Sequence, residues 1–254
     1  MNDDGTVELT LTGQTATITI NNPPRRNALT PAMWRRLPEL LDAAAADPAV
    51  HALVLTGAGG TFSAGADLTG VRDLVGPDSP PTRAEERLAA FPKPTIARVR
   101  GHCVGGGCQL AVACDLRIAA RDARFAVPPA RLGIAYPGPT TRRLLGLVGP
   151  ARAKWLLFTA DQIDADRAAA IGLVDEVVPI EELDAHVARL VDTIAQRSQL
   201  SIAAAKETID LAVAGRPSAE RDAFWQAEML RAGDVAEGAA AFLERRRANF
   251  SWRP

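Results

Sequence analysis

Leu55-Thr-Gly-Ala-Gly-Gly-Thr-Phe-Ser-Ala-Gly-Ala-Asp67 and Val99-Arg-Gly-His-Cys-Val-Gly-Gly-Gly-Cys-Gln109 are the two stretches on which the reading of this 254-residue chain turns. Each starts at the end of a short apolar run and stops where helical spacing begins. Each therefore reads as a strand, a tight glycine turn and a helix start. The runs at 52–56 and 95–99 are the two strands, and 116–119 and 174–178 read as two more. Between and after them, 104–113, 140–148 and 151–158 have helical spacing. Strands alternating with helices argue an α/β fold with mostly parallel pairing.

Outward from this centre, apolar alternation at 7–11 and 15–20 around Gly13-Gln14 predicts a hairpin. Thr30-Pro31 offers an N-cap with proline at the first helical position, and Met33, Leu37, Leu40, Leu41 and Ala44 follow at helical spacing. Pro38 is expected to kink that helix, and Asp47-Pro48 to end it. Residues 70–94, with Gly76-Pro77, Pro80-Pro81 and mixed charges, read as a mobile surface loop ending in a short helix. From about Ile180 only helical spacing remains, at 180–197, 201–213, 218–231 and 234–247. We divide the chain into an α/β core at 1–195 and a helical region at 196–254. By periodicity alone that region packs equally well on its own core or on a partner subunit.

The 29 basic and 30 acidic residues nearly cancel, leaving a net charge of −1, so no broad field draws nucleic acid or an anionic membrane. With 47% hydrophobic and 23% charged residues, the composition is that of a globular protein and not of a disordered one. No apolar stretch suits a bilayer crossing. The polar start, Met1-Asn-Asp-Asp-Gly5, has no targeting pattern, and a cytoplasmic protein is expected. Cys103, Cys108 and Cys114 make a poor disulfide framework and lack zinc spacing, so small buried thiols and no metal site are expected.

Several chemistries are missing their residues. The run Gly57-Ala-Gly-Gly-Thr-Phe62 puts phenylalanine where a dinucleotide fingerprint needs a small residue. There is no phosphate loop ending in Gly-Lys-Ser/Thr, and Thr61 spoils a nucleophile elbow at Ser63. What the two turns do supply is backbone donors. The first N–H groups of a helix have no internal partner, and glycine lets another group approach them. Two such turns face to face would hold a carbonyl oxygen as it gains negative charge. Two tight connections with no chemical role satisfy the same pattern.

The segments Phe62-Ser-Ala-Gly-Ala-Asp-Leu68, Lys93-Pro-Thr-Ile-Ala97, Gly101-His-Cys-Val-Gly-Gly-Gly-Cys108 and Ala113-Cys-Asp-Leu-Arg-Ile-Ala119 together resemble the crotonase family, the enoyl-CoA hydratase/isomerase superfamily. The likeness extends from Asn27-Ala-Leu29 through Phe125, Leu132-Gly133 and Thr159-Ala160 to Ala248-Asn-Phe250, almost the whole chain. The resemblance implies a spiral of β-β-α turns with a helical C-terminal part that builds trimers, often stacked into hexamers. It implies stabilisation of a thioester enolate of coenzyme A, which arrives with the substrate and is not a resident cofactor. The oxyanion donors would be the N–H groups of Ala66 and Gly106. Arg25, Arg26, Ala64 and Asp67 would line the coenzyme A side, and Phe242 and Arg245 would reach coenzyme A held by a neighbouring subunit.

The departures are as informative. Hydratases of the family use two glutamates; the corresponding positions here are Gln109 and Pro129. Glutamine orients water but takes no proton near neutral pH, and proline has no functional side chain. Leu132-Gly-Ile-Ala-Tyr-Pro137 resembles the matching segment of methylmalonyl-CoA decarboxylase, which makes Tyr136 a candidate catalytic group. The bland reading of Tyr136 is a packed ring with a wet hydroxyl. Asp67 and Asp115 read as hydrogen-bonding caps, and Asp73 and Asp78 as loop residues. The reading is thus an acyl-CoA enzyme lacking both hydratase carboxylates; decarboxylation of a malonyl-type thioester, or acyl-CoA binding without catalysis, remain alternatives.

Overall fold

The computed structural model describes residues 5–69, 74, 76 and 78–253. The strands are β1 (Thr6–Thr12), β2 (Thr15–Asn21), β3 (Ala52–Gly57), β4 (Thr95–Val99), β5 (His102–Val104), β6 (Leu116–Ala120), β7 (Arg124–Ala126), β8 (Ile163–Asp164) and β9 (Glu176–Val178). They form a six-stranded sheet in the order β1-β2-β3-β4-β6-β9 and a three-stranded sheet in the order β5-β7-β8. β1 and β2 make the expected antiparallel hairpin, with Thr12 opposite Thr15. From β2 to β9 the large sheet is parallel throughout.

Burial follows from these pairings. Leu53 and Leu55 of β3 point into the main core, whereas Ala52 and Val54 point into a second cluster with Ile96, Ile118, Leu183, Val187 and Val191. A sheet covered on both faces needs continuous apolar strands, and β3 is buried along nearly its whole length. The covering helix on the second face runs over Leu183–Ala195.

The helices are α1 (Pro31–Ala46), α2 (Pro80–Ala89), α3 (Gly106–Ala113), α4 (Pro129–Leu132), α5 (Gly138–Thr159), α6 (Ala165–Ala170), α7 (Leu183–Ala195), α8 (Gln199–Val213), α9 (Ala219–Ala232) and α10 (Asp234–Glu244). Thr30 caps α1 as expected, its hydroxyl accepting from the Met33 N–H, and α1 runs unbroken through Pro38. The segments expected as two helices at 140–148 and 151–158 join in α5, which breaks its helical backbone at Gly149 (φ 74°, ψ 168°). The segment expected as helix at 104–113 begins later, at Gly106, because residues 102–104 pair with β7 instead. In the stretch expected as a loop ending in a short helix, that helix is α2, ten residues long and burying Ala84, Glu85 and Leu88, while 70–73, 75 and 77 lie outside the described residues.

The helical tail is tied to the core at its first helix. The Lys206 ammonium on α8 donates to both Asp115 carboxylate oxygens at 2.6 and 2.8 Å and to the Lys93 carbonyl. Further along, the tail leaves large apolar side chains outside: Leu230, Phe242 and Leu243 are each at least 80% exposed. Among the described residues no helix is long and apolar enough to cross a membrane.

Candidate active site

The site begins with Asn27, a fully buried polar side chain in a left-handed backbone conformation (φ 58°). Its amide nitrogen donates to the carbonyls of Ala58 and Thr61 at 2.8 and 2.7 Å, and its amide oxygen accepts from the Asn22 N–H. Its carbonyl takes the Ser63 hydroxyl, whose oxygen accepts in turn from the Gly65 N–H. One asparagine and one serine thus fix the first glycine turn. The segment is then laced on both sides. Leu29 and Gly65 pair through a 2.8 Å bond, and Ser63 exchanges bonds with His102 and Val104 of β5.

The second turn is packed directly against the first. A Cβ on Gly65 (φ 102°) would stand 2.8 Å from the Val104 carbonyl oxygen, and one on Gly107 would stand 2.7 Å from that of Ser63. Neither position has room for a side chain of its own, so the contact is mainly backbone on backbone, with the small Ser63 side chain against Gly107. This places the Ala66 and Gly106 N–H groups beside each other: a Cβ on Gly106 would lie 3.4 Å from the Ala66 nitrogen. Ala66 N–H meets no acceptor among the described residues, and Gly106, first in α3, has no intrahelical one.

Both donors open on a cavity of about 500 Å³. Ala64, Gln109, Pro129 and Tyr136 are also on its wall, so the structure gathers five of the sequence-derived site residues, and Pro129, around one space. The Gln109 side-chain amide makes no hydrogen bond within the described residues. The Tyr136 hydroxyl makes none either, and it lies 3.8 Å from the place of a Cβ on Gly105. Burial pushes the Tyr136 phenol up, reinforced by the nearby Cys108 and Glu85, so it stays protonated and acts as a donor.

The remaining sequence candidates lie at the rim or apart. Asp67, one residue beyond Ala66, accepts from the Thr69 N–H and hydroxyl and pairs with the half-exposed Arg25. Those Thr69 bonds, with Arg25 adding, hold its carboxyl below the usual range against the effect of burial. Arg26 is exposed, and its carbonyl accepts from the Ala64 N–H. Phe242 borders a separate cleft beside α10, and Arg245 is the C-cap of that helix. Asp115 is taken up by Thr95 and Lys206, Asp78 is exposed, and Asp73 lies outside the described residues. The three cysteines are free and buried.

One wall residue was not anticipated. Glu85, only 2% exposed, lines the cavity from α2 and accepts from the Thr140 hydroxyl at 2.5 Å and from Arg143 at 2.7 Å. Burial raises its carboxyl, while Thr140 and Arg143 work the other way. The Trp34 indole N–H, buried on the same wall, has no partner among the described residues.

The sequence model of the enoyl-CoA hydratase/isomerase family matches residues 11–253. The chain belongs to that family. A crotonyl-CoA hydratase of Syntrophomonas wolfei is 40% identical over 245 residues, covering 92% of this chain and 94% of the relative. The crystal structure of an enoyl-CoA hydratase/isomerase family member superposes with a TM-score of 0.93 at 38% identity, covering 98% of both chains. A family protein from Hyphomonas neptunium gives 0.90 at 35% identity, over 97% of this chain and 98% of its own. The fold is therefore the crotonase fold, and the chain is an acyl-CoA enzyme of the hydratase/isomerase family.

In this family member the donor pair depends on Asn27. Asn27→Ala leaves the Thr61 carbonyl and the Asn22 N–H without a partner, leaves the Ala58 carbonyl only the long 3.5 Å bond from the Thr61 N–H, and puts alanine at a positive φ. Chemical denaturation is expected to show a loss of roughly 3 kcal/mol. A loss below about 1 kcal/mol would mean that the turn holds itself.

Proposed function

We propose that the chain binds an acyl thioester of coenzyme A with its carbonyl oxygen between the Ala66 and Gly106 N–H groups, and stabilises the enolate that forms. The observation that carries this reading is the pair of unengaged donors meeting at one point of the cavity wall. The Gly106 donor sits at the positive end of α3, which adds to its pull on a developing anion. Gln109 orients a polar group of the substrate or a water, and Tyr136 donates a hydrogen bond or a proton. Arg25 is neutralised by Asp67, so the coenzyme A contacts fall to backbone around Arg25 and Arg26, with Ala64 and Asp67 beside them.

Any residue at 106 other than glycine crowds Trp34, since a Cβ there would lie 2.8 Å from the indole ring. Gly106→Ala therefore serves as the control for Gly106→Pro: both add bulk, and only proline removes the N–H. Turnover of the proline variant is expected about a hundredfold or more below that of the alanine variant. Equal turnover in two folded variants would remove Gly106 from the oxyanion site.

Water addition is a feeble activity on this reading, because neither Gln109 nor Pro129 supplies a carboxylate. Positioned acid–base groups contribute about 10² to 10⁴ in rate. Hydration of crotonyl-CoA is expected to be slow, and to rise in the Gln109→Glu, Pro129→Glu double variant. Efficient hydration by the unaltered chain would refute it. Decarboxylation of a malonyl-type thioester needs the same donors, but the anionic Glu85 on the wall repels a second carboxylate. Measured turnover of any thioester would set aside binding without catalysis.

Assembly follows the same likeness. The exposed Leu230, Phe242 and Leu243 give α9 and α10 apolar area that a trimer or hexamer would cover, bringing Phe242 and Arg245 toward a neighbour's coenzyme A. Light scattering is expected to give three or six times the chain mass of 26.9 kDa. A stable monomer would cancel both roles.

A further inference from the structure

We infer that Glu85 is the proton-transfer group of this site, moving a proton between carbons of a neutral acyl chain while Ala66 and Gly106 hold the thioester oxygen. The inference rests on the enolate reading above and names the base that reading lacks. Two observations carry it. Glu85 lies on the wall of the cavity that the two donors enter, and among the described residues it is the one charged side chain there. It also has spare acceptor capacity: each oxygen takes one bond, from Thr140 or from Arg143, and a carboxylate has about four acceptor positions.

A purely structural role for the pair explains less. Joining α2 to α5 needs no charge, and an apolar pair of the same volume closes such a contact at least as well. The groups around Glu85 are a coherent set. Arg143 stands behind it and also pairs with Glu86, Thr140 donates from the same helix, and the protonated Tyr136 lies close enough to feel its charge. Burial raises its basicity, the direction that suits a general base, while Thr140 and Arg143 favour the ionised form.

The step balances without a co-reactant. Glu85 takes a proton from the carbon next to the thioester carbonyl of a 3-enoyl chain. The electrons of that C–H bond form the enolate C=C, and the negative charge passes to the oxygen held by Ala66 and Gly106. The neutral Glu85 then returns the proton to the fourth carbon, and the electron pair comes back to leave the 2-enoyl thioester. The substrate class is therefore a neutral, unsaturated acyl thioester, with a shift of the double bond.

The experiment follows straight-chain 3-enoyl-CoA thioesters of four to ten carbons, reading conjugation by absorbance and deuterium uptake from heavy water by NMR. The unaltered protein is expected to shift the double bond. Glu85→Gln should lower kcat by about a hundredfold or more, with KM changed by less than about threefold, and Glu85→Asp should recover part of that loss. Thr140→Val removes a bond that favours the ionised form, so the acidic limb of kcat/KM should move to higher pH. A structural pair would not move that limb, and the measurement stands even if Glu85→Gln fails to fold. Glu85→Gln turning over within about tenfold of the unaltered protein would overturn the inference, as would an unmoved limb in Thr140→Val. Calorimetry with the same thioesters separates the two failures. Thioesters that bind but never isomerise overturn the role of Glu85 alone, whereas no binding overturns the enolate reading and this inference with it.

Discussion

The site depends on a contact that only glycine permits: the first glycine turn lies against the start of α3 almost entirely through backbone, with the small Ser63 side chain beside Gly107. A Cβ at 65 or 107 would meet a carbonyl oxygen at 2.8 or 2.7 Å, closer than real Cβ contacts allow. The absence of side chains at 65 and 107 lets the Ala66 and Gly106 N–H groups converge, and on the proposed reading convergence turns two orphan donors into a place for one oxygen. Such a contact has no side-chain packing of its own to hold it. The strands β3 and β5 position its two halves, and Asn27 and Ser63 fix the first half from the side.

This division of labour explains which parts were legible in the sequence. The hairpin, β3, β4 and β6 are written in local apolar patterns, and the sheet has them where those patterns fall. Gly149-Pro150 marked the interruption that the backbone of α5 does make. The short strand β5 went unread, because His102 and Cys103 fall in the glycine turn and Val104 at the start of helical spacing, and only pairing with β7 decides it. Pro38 gave too strong a signal: the apolar face of α1, with Met33, Trp34, Leu37 and Leu41 buried, holds the helix together past the missing N–H.

Glu85 was hidden for a related reason. It stands in Arg83-Ala-Glu-Glu-Arg87, a charge-rich run behind two prolines in a stretch that reads as a surface loop ending in a short helix, with nothing to mark one charge as buried. Glu86 and Arg87 do face outward in α2, but Glu85 turns inward with Ala84 and Leu88. Its partners Thr140 and Arg143 lie 55 and 58 residues away on α5. No local pattern carries that information; the sole sequence trace is the spacing of 84, 85 and 88 on one helical face. The two glycine turns, by contrast, carry their signal within a few positions, because close backbone approach demands glycine wherever it occurs.

Charge then links the two halves of the pocket. With Glu85 ionised, the described wall carries one negative charge, compensated from behind by Arg143. A proton passing from a neutral acyl chain to Glu85 moves that charge to the thioester oxygen, toward the Ala66 and Gly106 donors and the positive end of α3. The net charge of the pocket is unchanged, and the neutral Gln109 and Tyr136 need only adjust their hydrogen bonds. A malonyl-type substrate would instead bring a second negative charge beside the first in a largely apolar cavity, where like charges repel far more than in water. The same apolar walls favour the neutral chain, so on the proposed reading selection of the acyl group and the means of moving its proton come from a single buried carboxylate.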